Sequence, residues 1–452
     1  MSRRRSGKPP AGGSYQVQLR RAMSRVLPRR GLAVLPGGDG RLRWTARLLV
    51  VCAVLMAWDP SDRLKDRFAA ARACVVGMYA TRRRPGGTCE GFLAALARSS
   101  AALLGAVAAH LRGRVREAAG SSGRWLVRGW CAFGCDSSKV DCPMTAANEA
   151  ALGCCHGKSW PQQLLTTLFH AGSGLPWAFV RGGAKDSERS HLLRMIDTLP
   201  TGPDAGSPAG RGVLLLADAG FTGYDLLEAV LCSGRSILLR VGSGVRLLTR
   251  LGYAARERDG VVYLWPDARR KQGREPLVLR LITLTDGRNR RIHLLTDVLG
   301  ERRLGGAAAG ELYRLRWGVE LLYRALKQTM RRRKLLSGSP RHAEVELDWS
   351  VVGLWVLALM NALAAGGAAP GPATSHAAAL RAVRGAMYGR GPAPGDALPR
   401  AVLDTYRRTG SRKARHWPHK KRERPPGPPV ARKATREEVK LATELKRARR
   451  AA

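Results

Sequence analysis

Between residues 124 and 241 the apolar runs come in an order that few folds accommodate. RWLVRGWCAFGCD (124–136), QQLLTTLFHAG (162–172) and LPWAFVRGG (175–183) have strand composition, and a Gly-rich turn joins the last two. SERSHLLRMIDTL carries a Ser cap and a helical period, and Pro200 closes it. After a Gly/Pro-rich loop comes VLLLAD, a short buried strand ending in an acid, as the first strand does. YDLLEAVLCSG then reads as a helix stopped by glycine, and RSILLRV as another strand.

Three strands, a helix, a strand, a helix and a strand make the order of a ribonuclease-H-like α/β sheet. In such a sheet the strands ending at Asp136 and Asp218 are neighbours. From about 241 to 300 the pattern is β-rich again: VVYLWP, PLVLRLITLTDG with a turn signal at Asp286-Gly287, and RRIHLLTDV. The expected fold class is therefore α/β, a ribonuclease-H-like catalytic core (121–365) interrupted by a β-rich insertion (about 241–300). A helical region (1–120) precedes it, and a Gly/Pro-rich, basic region (366–452) follows. In the first region four amphipathic segments are separated by Pro60, Gly77 and Pro85-Gly86-Gly87. In the last, residues 401–452 hold 17 Lys or Arg against 5 Asp or Glu. RPPGPPVARK reads there as a flexible linker and TREEVKLATELKRARR as a short exposed helix.

Lys and Arg outnumber Asp and Glu by 78 to 34, a formal net charge of +44, so the first candidate partner is a polyanion such as nucleic acid. The apolar run 48–58 is too short to cross a bilayer, and 351–365 is short as well and contains Asn361. Both read as buried helices, and no membrane partner is expected. No apolar segment follows the basic start as in an export signal, and the nine cysteines are odd in number, so reduced thiols in a cytoplasmic protein are expected. Five cysteines and His156 crowd between 131 and 156, but C-x3-C and C-C-H match no common structural zinc site.

The segment 311–334, ELYRLRWGVELLYRALKQTMRRRK, is built from good helix formers. As one continuous helix at about 100° per residue, it places Tyr313, Arg316, Glu320 and Lys327 within an arc of about 60°. A carboxylate flanked by two cations and a phenol suits work on a phosphodiester, the acid holding a metal ion and the cations phosphate oxygens. The bland alternative is a solvated face of ion pairs.

The spacing Tyr-x2-Arg-x3-Glu-x6-Lys, with Trp317 after the arginine, resembles the Y-R-E-K box of the bacterial insertion-sequence family four DDE transposases. DSSKVDCPMTAANEAALG is similar to that family's first-aspartate segment and LLLADAGFTGYDLLEAV to its second, with Gly220, Phe221 and Tyr224 also matching. Ser137 departs from the glycine often found after the first aspartate, and Asp141 is a rival for that role. The resemblance covers about 125–365. It implies that Asp136, Asp218 and Glu320 are catalytic and hold two Mg²⁺ ions, with Mn²⁺ able to substitute. It further implies that Tyr313, Arg316 and Lys327 bind phosphates, and that Trp317 stacks on an unpaired base or else fills the core. The implied partners are double-stranded DNA, as terminal inverted repeats and target, and a second copy of the chain, in a nucleoid-associated dimer. Recognition of the element ends would fall to the helical region. The implied reaction is hydrolysis at the element end followed by 3′-OH strand transfer. A junction resolvase would share the acids without the complete box. A decayed or domesticated copy would bind DNA only.

Overall fold

The computed structural model describes residues 15–27, 43–79, 84–154, 160–201, 210–255, 257, 259–285, 289–364, 375–390 and 427–451. Asp286-Gly287, Cys155 and His156 lie outside them.

Among the described residues four helices come first: α1 (Tyr15–Val26), α2 (Ala46–Trp58), α3 (Leu64–Met78) and α4 (Cys89–Ser121). The side chains of Thr45 and Thr88 cap α2 and α4. The α/β segment follows with β1 (Cys131–Asp141), α5 (Ala146–Leu152), β2 (Gln162–His170), β3 (Leu175–Gly183), α6 (Glu188–Met195), β4 (Val213–Ala217), α7 (Tyr224–Cys232) and β5 (Ser236–Val241). Next come β6 (Arg246–Thr249), β7 (Val261–Leu264), α8 (Asp267–Lys271), β8 (Leu277–Thr285) and β9 (Arg291–Thr296). The chain ends with α9 (Gly306–Leu315), α10 (Gly318–Arg324), a π-helical stretch (Ala325–Thr329), α11 (Pro340–Ala364), α12 (His376–Met387), β10 (Val430–Lys433) and α13 (Arg436–Ala451).

The ten strands among the described residues form one sheet, in the order β10-β6-β7-β8-β9-β5-β4-β1-β2-β3. β1, β4 and β5 are parallel neighbours, while β1, β2 and β3 are antiparallel. β9 pairs antiparallel with β5, so the β-rich insertion lengthens the core sheet and does not build a second one.

Three expectations need correction. The first strand begins at Cys131, because Arg128 (φ 52°) and Gly129 (φ 79°) reverse the chain between the bridged residues Val127 and Trp130. It then runs on to Asp141, which places Asp136 inside the strand and not at its end. The segment 311–334 is not one helix: it breaks at Arg316–Trp317, widens to π geometry at Ala325 and ends at Met330, with Arg331 at φ 57°. The C-terminal end is not a free tail within its described part. β10 pairs in parallel with β6, and Glu438 of α13 is buried against Arg270 and Arg432.

α11 is the hub of the helical layer. Most of its residues are buried, and α1, α2, α4, α12 and β3 pack against it. Several of its polar groups are paired: Glu346 with Arg67 (3.1 Å), Asp348 with Arg181 (2.9 Å), and the Gly353 carbonyl with Trp58 Nε1 (2.9 Å). Both α4 and α11 are long and apolar enough to cross a membrane, but 89% of the α11 window is buried inside the protein, as in a core helix.

Phe169 of β2 fixes how closely the acidic helix approaches the sheet. A Cβ on Gly134 of β1 would lie 1.9 Å from its ring, and one on Gly318 of α10 would lie 2.6 Å from it. Gly134→Ala should therefore destabilise the protein by about 1–3 kcal/mol through overpacking. Gly105→Ala, on α4 with open space around it, should stabilise by up to about 1 kcal/mol. Thermal melts of the two variants check this, and equal Tm values would contradict the packing account.

Candidate active site

The parallel register pairs Gly134 of β1 with Leu216 of β4, so two residues further on Asp136 and Asp218 stand level on adjacent strands. Beyond β4 the chain turns at once into a short 3-10 turn, which Asp218 caps by accepting from Gly220 N (2.9 Å). Asp136 accepts from Ser137 N (2.8 Å), and its other oxygen receives Arg316 Nη1 at 3.3 Å. The same guanidinium reaches Glu320 at 3.8 Å, so Arg316, itself only 8% exposed, bridges the strand acid and the helix acid.

Tyr323 holds α10 in place, donating to the backbone oxygens of Asp136 (2.8 Å) and Leu165 (3.0 Å). Tyr313 lies under Arg316, ring centroid to guanidinium 5.7 Å, and its hydroxyl is buried beside that guanidinium. Lys327, carried on the π turn, donates to Ser138 Oγ (2.7 Å) on β1. π turns recur where a helix must re-aim a side chain, and here the extra residue brings Lys327 onto the first strand. Trp317 projects from the helix break with 56% of its surface exposed, which removes the core reading of that residue.

The structure thus gathers Asp136, Asp218, Tyr313, Arg316 and Glu320, with Lys327 one step along β1. Asp141, the rival acid, accepts from Gln162 Nε2 (2.6 Å) at the far end of β1 and makes no contact with Arg316. Sequence reasoning overlooked Glu188, the first residue of α6, which lies near Asp218, Asp136 and Ser137. Its only signal was its place as a first-turn acid after the Ser187 cap, a place usually explained by helix capping.

Burial raises the Asp136 carboxyl above the usual carboxylate range, offset by Ser137 N–H and Arg316 and reinforced by Asp218. Burial likewise raises Glu320, and Glu188 is raised by burial and by Asp218. Burial lowers the Lys327 ammonium, with Asp141 pulling the other way. Among the described residues no three acid, imidazole or thiol side chains already stand as a metal cage. The donor chemistry nonetheless fits a hard divalent cation: the convergent groups are carboxylates, and a guanidinium now answers part of their charge.

Residues 135–354 match the family described as "Transposase DDE domain". "Transposase InsG for insertion sequence element IS4" of Escherichia coli (strain K12) is 32% identical over 204 residues, 43% of this chain and 42% of that protein. The chain therefore matches less than half the length of that relative. The cryo-EM structure of a piggyBac transposase synaptic complex with hairpin DNA aligns with 86% of this chain and 82% of its own, at 9% identity and a TM-score of 0.41, too loose a likeness to argue from.

A carboxyl raised by the fold binds a proton that the unfolded chain has released. Its penalty on stability is absent at low pH and grows as pH rises from the unfolded pKa through the folded one. Asp136→Asn keeps an oxygen for Arg316 and should raise the Tm of the metal-free protein at pH 7. The gain should shrink toward about pH 4, near the unperturbed carboxyl range. A Tm difference that does not change with pH would show that the fold exacts no such penalty.

Proposed function

We propose that this chain, whose residues 135–354 match the transposase DDE domain family, excises an insertion sequence by hydrolysis at the element ends and joins the freed 3′-OH to target DNA. The observation that carries the reading is the bridge from Asp136 through Arg316 to Glu320, with Asp218 level on the next strand.

In this reading Asp136, Asp218 and Glu320 hold two Mg²⁺ ions, or Mn²⁺ in their place. When bound, such a pair activates the attacking oxygen and stabilises the leaving one. The rest falls to side chains already in position. With its carboxylates engaged elsewhere, the Arg316 guanidinium turns its planar fork to phosphate oxygens beside the scissile bond. The Tyr313 hydroxyl, buried beside that guanidinium, donates to the same phosphate. Lys327 holds the next phosphate along β1 as a point charge. Trp317, exposed beside Glu320, offers a ring face on which an unpaired base at the element end stacks. Strand transfer is a transesterification and needs no nucleotide cofactor.

The partner is double-stranded DNA, as terminal inverted repeats and as target. The +44 charge supplies the salt-dependent part of the affinity. The proposed layout assigns end recognition to the helical region 1–120, catalysis to 121–365 and added non-specific affinity to the basic region 366–452. A dimer bringing two ends together, acting at the nucleoid in the cytoplasm, completes the reading.

Cleavage and strand transfer on end-containing DNA test it. Alanine at Asp136, Asp218 or Glu320 should abolish both steps and leave DNA binding largely intact, with Mg²⁺ or Mn²⁺ required and chelator inhibiting. Arg316→Lys should lower the cleavage rate about ten- to a hundredfold, the worth of one charge-assisted hydrogen bond at about 1.5–3 kcal/mol. Full activity in chelator would sink the mechanism. A wild-type rate for Arg316→Ala would reduce the arginine to a structural ion pair.

A further inference from the structure

Arg332 carries the most deeply buried guanidinium among the described residues, 1% exposed, and the reaction just described gives it no role. Its Nη2 donates to the carbonyls of Met56 (3.1 Å), Ala57 (2.8 Å) and Asp59 (3.2 Å), at the C-terminal end of α2. Its Nη1 donates to the carbonyl of Met330 (2.8 Å), the residue that caps the π stretch, and its backbone N–H returns to Leu326 O (3.0 Å). One planar group therefore joins the ends of two helical segments far apart in the chain. A cation suits both, because helix C-termini carry unpaired carbonyls and partial negative charge.

The arrangement is costly for a group that only fills space. Arg332 Nε has no partner among the described residues, and the neighbouring Glu346 is taken by Arg67 (3.1 Å), by the backbone N–H groups of Leu336 and Ser337 and by the Ser337 hydroxyl. Burial first, and then Arg67, push the Arg332 pKa down to about 9, with Glu346 and Asp59 pulling the other way. An apolar side chain of similar volume would fold at lower cost. What arginine adds is a rigid fork that fixes the direction of every group it binds. One side of the fork is firmly anchored. Arg384 Nε donates to Trp58 O (2.5 Å), Trp58 Nε1 to Gly353 O (2.9 Å), and a Cβ on Gly353 would lie 2.6 Å from that of Ala57, so the end of α2 is seated closely on α11. The other side holds the π turn that carries Lys327 to Ser138 Oγ (2.7 Å), closed by Met330 N donating to Ala325 O (2.8 Å). A π turn depends on its surroundings, and one that relaxes to α geometry re-aims the side chains it carries.

We propose that Arg332 is a positioning residue for cleavage: by fastening the end of the acidic helix to the C-terminus of α2, it holds the π turn open and keeps Lys327 aimed along β1. This rests on the reading of Lys327 as a phosphate-binding cation. Because α2 lies in the helical region 1–120, the same contact makes the aim of Lys327 depend on how that region is seated.

The readout is single-turnover cleavage by the full-length protein at saturating Mg²⁺, on linear DNA bearing the terminal inverted repeats that flank the reading frame, with DNA affinity and Tm measured beside it. Arg332→Lys should lower the cleavage rate about ten- to a hundredfold, the scale on which a misplaced group acts, and leave affinity for that DNA unchanged. In a Lys327→Ala background the same substitution should cost almost nothing more, because the group it aims is gone. Arg235, 6% exposed and bridging the Leu199 and Ser233 carbonyls, is the control: Arg235→Lys should leave the rate unchanged whatever it does to Tm. Gly353→Ala, whose methyl displaces the end of α2 with Arg332 intact, should reproduce the loss and its dependence on Lys327, and it stands in should Arg332→Lys not fold. A wild-type rate for Arg332→Lys, or an equal loss with and without Lys327, would overturn the proposal and leave the arginine a structural clamp. A wild-type rate for Lys327→Ala would instead overturn the reading of Lys327 beneath it.

Discussion

The seat of Phe169 between Gly134 and Gly318 is the constraint on which the site depends. A helix that crosses a sheet normally stands off by the height of the side chains between them. Here two positions without side chains let one ring fill the gap, so α10 sits close over β1 and β2. Tyr323 takes up that approach by reaching two strand carbonyls, which also satisfies buried acceptors at the one place where β1 carries Asp136. The separation of Asp136 and Glu320 is thus set by packing and backbone hydrogen bonds, not by attraction between the groups. That separation has to come from the scaffold, because acids brought together repel one another.

Electrostatics then decides how the site rests. Burial and mutual repulsion raise Asp136, Glu188 and Glu320, and only Arg316 answers two of them directly. A guanidinium that buried is itself costly. The adjacent Tyr313 hydroxyl and the Asp136 and Asp218 carboxylates outweigh the burial and hold its pKa above the ordinary value. Among the described residues Arg316 Nε stays without a partner. An ion pair held at this cost exchanges an internal partner for an external one readily, which is what the proposed role asks of Arg316.

Much of this was legible in the sequence because it rests on local signals. The strands β1 to β5 and the helices between them were readable from apolar runs and from caps such as Ser187. The level placement of Asp136 and Asp218 follows once β1 and β4 are parallel neighbours. What escaped depends on long-range contact. The turn at Arg128-Gly129 lies inside an apolar run, so nothing in the composition marked the break before β1. The helix of Glu320 was read as uniform because Arg316, Trp317 and Ala325 are all acceptable in an α-helix. Its break and π turn arise from packing on the sheet, which a fixed 100° step cannot contain. Glu188 was hidden behind its own local explanation, since an acid in the first turn of a helix ordinarily needs no other.

The C-terminal strand shows how composition misleads about order. RPPGPPVARK has the proline and charge of a flexible linker, yet Val430–Lys433 closes one edge of the sheet by pairing in parallel with β6. Its side chains are exposed, so there was no alternating pattern to read. What holds it is backbone pairing, with Thr249 Oγ1 donating to Arg432 O (3.2 Å) and the Glu438 carboxylate receiving Arg270 and Arg432. That pairing holds the Glu438 carboxyl at about 2, well below its ordinary value. An open edge on β6 would be a template for pairing with another chain, and a charged strand from the same chain covers it. At the opposite edge β3 is flanked by α4, α6 and α11. The basic charge near the C-terminus therefore does structural work at the rim of the insertion, and a truncation meant to remove only DNA affinity would also uncover β6.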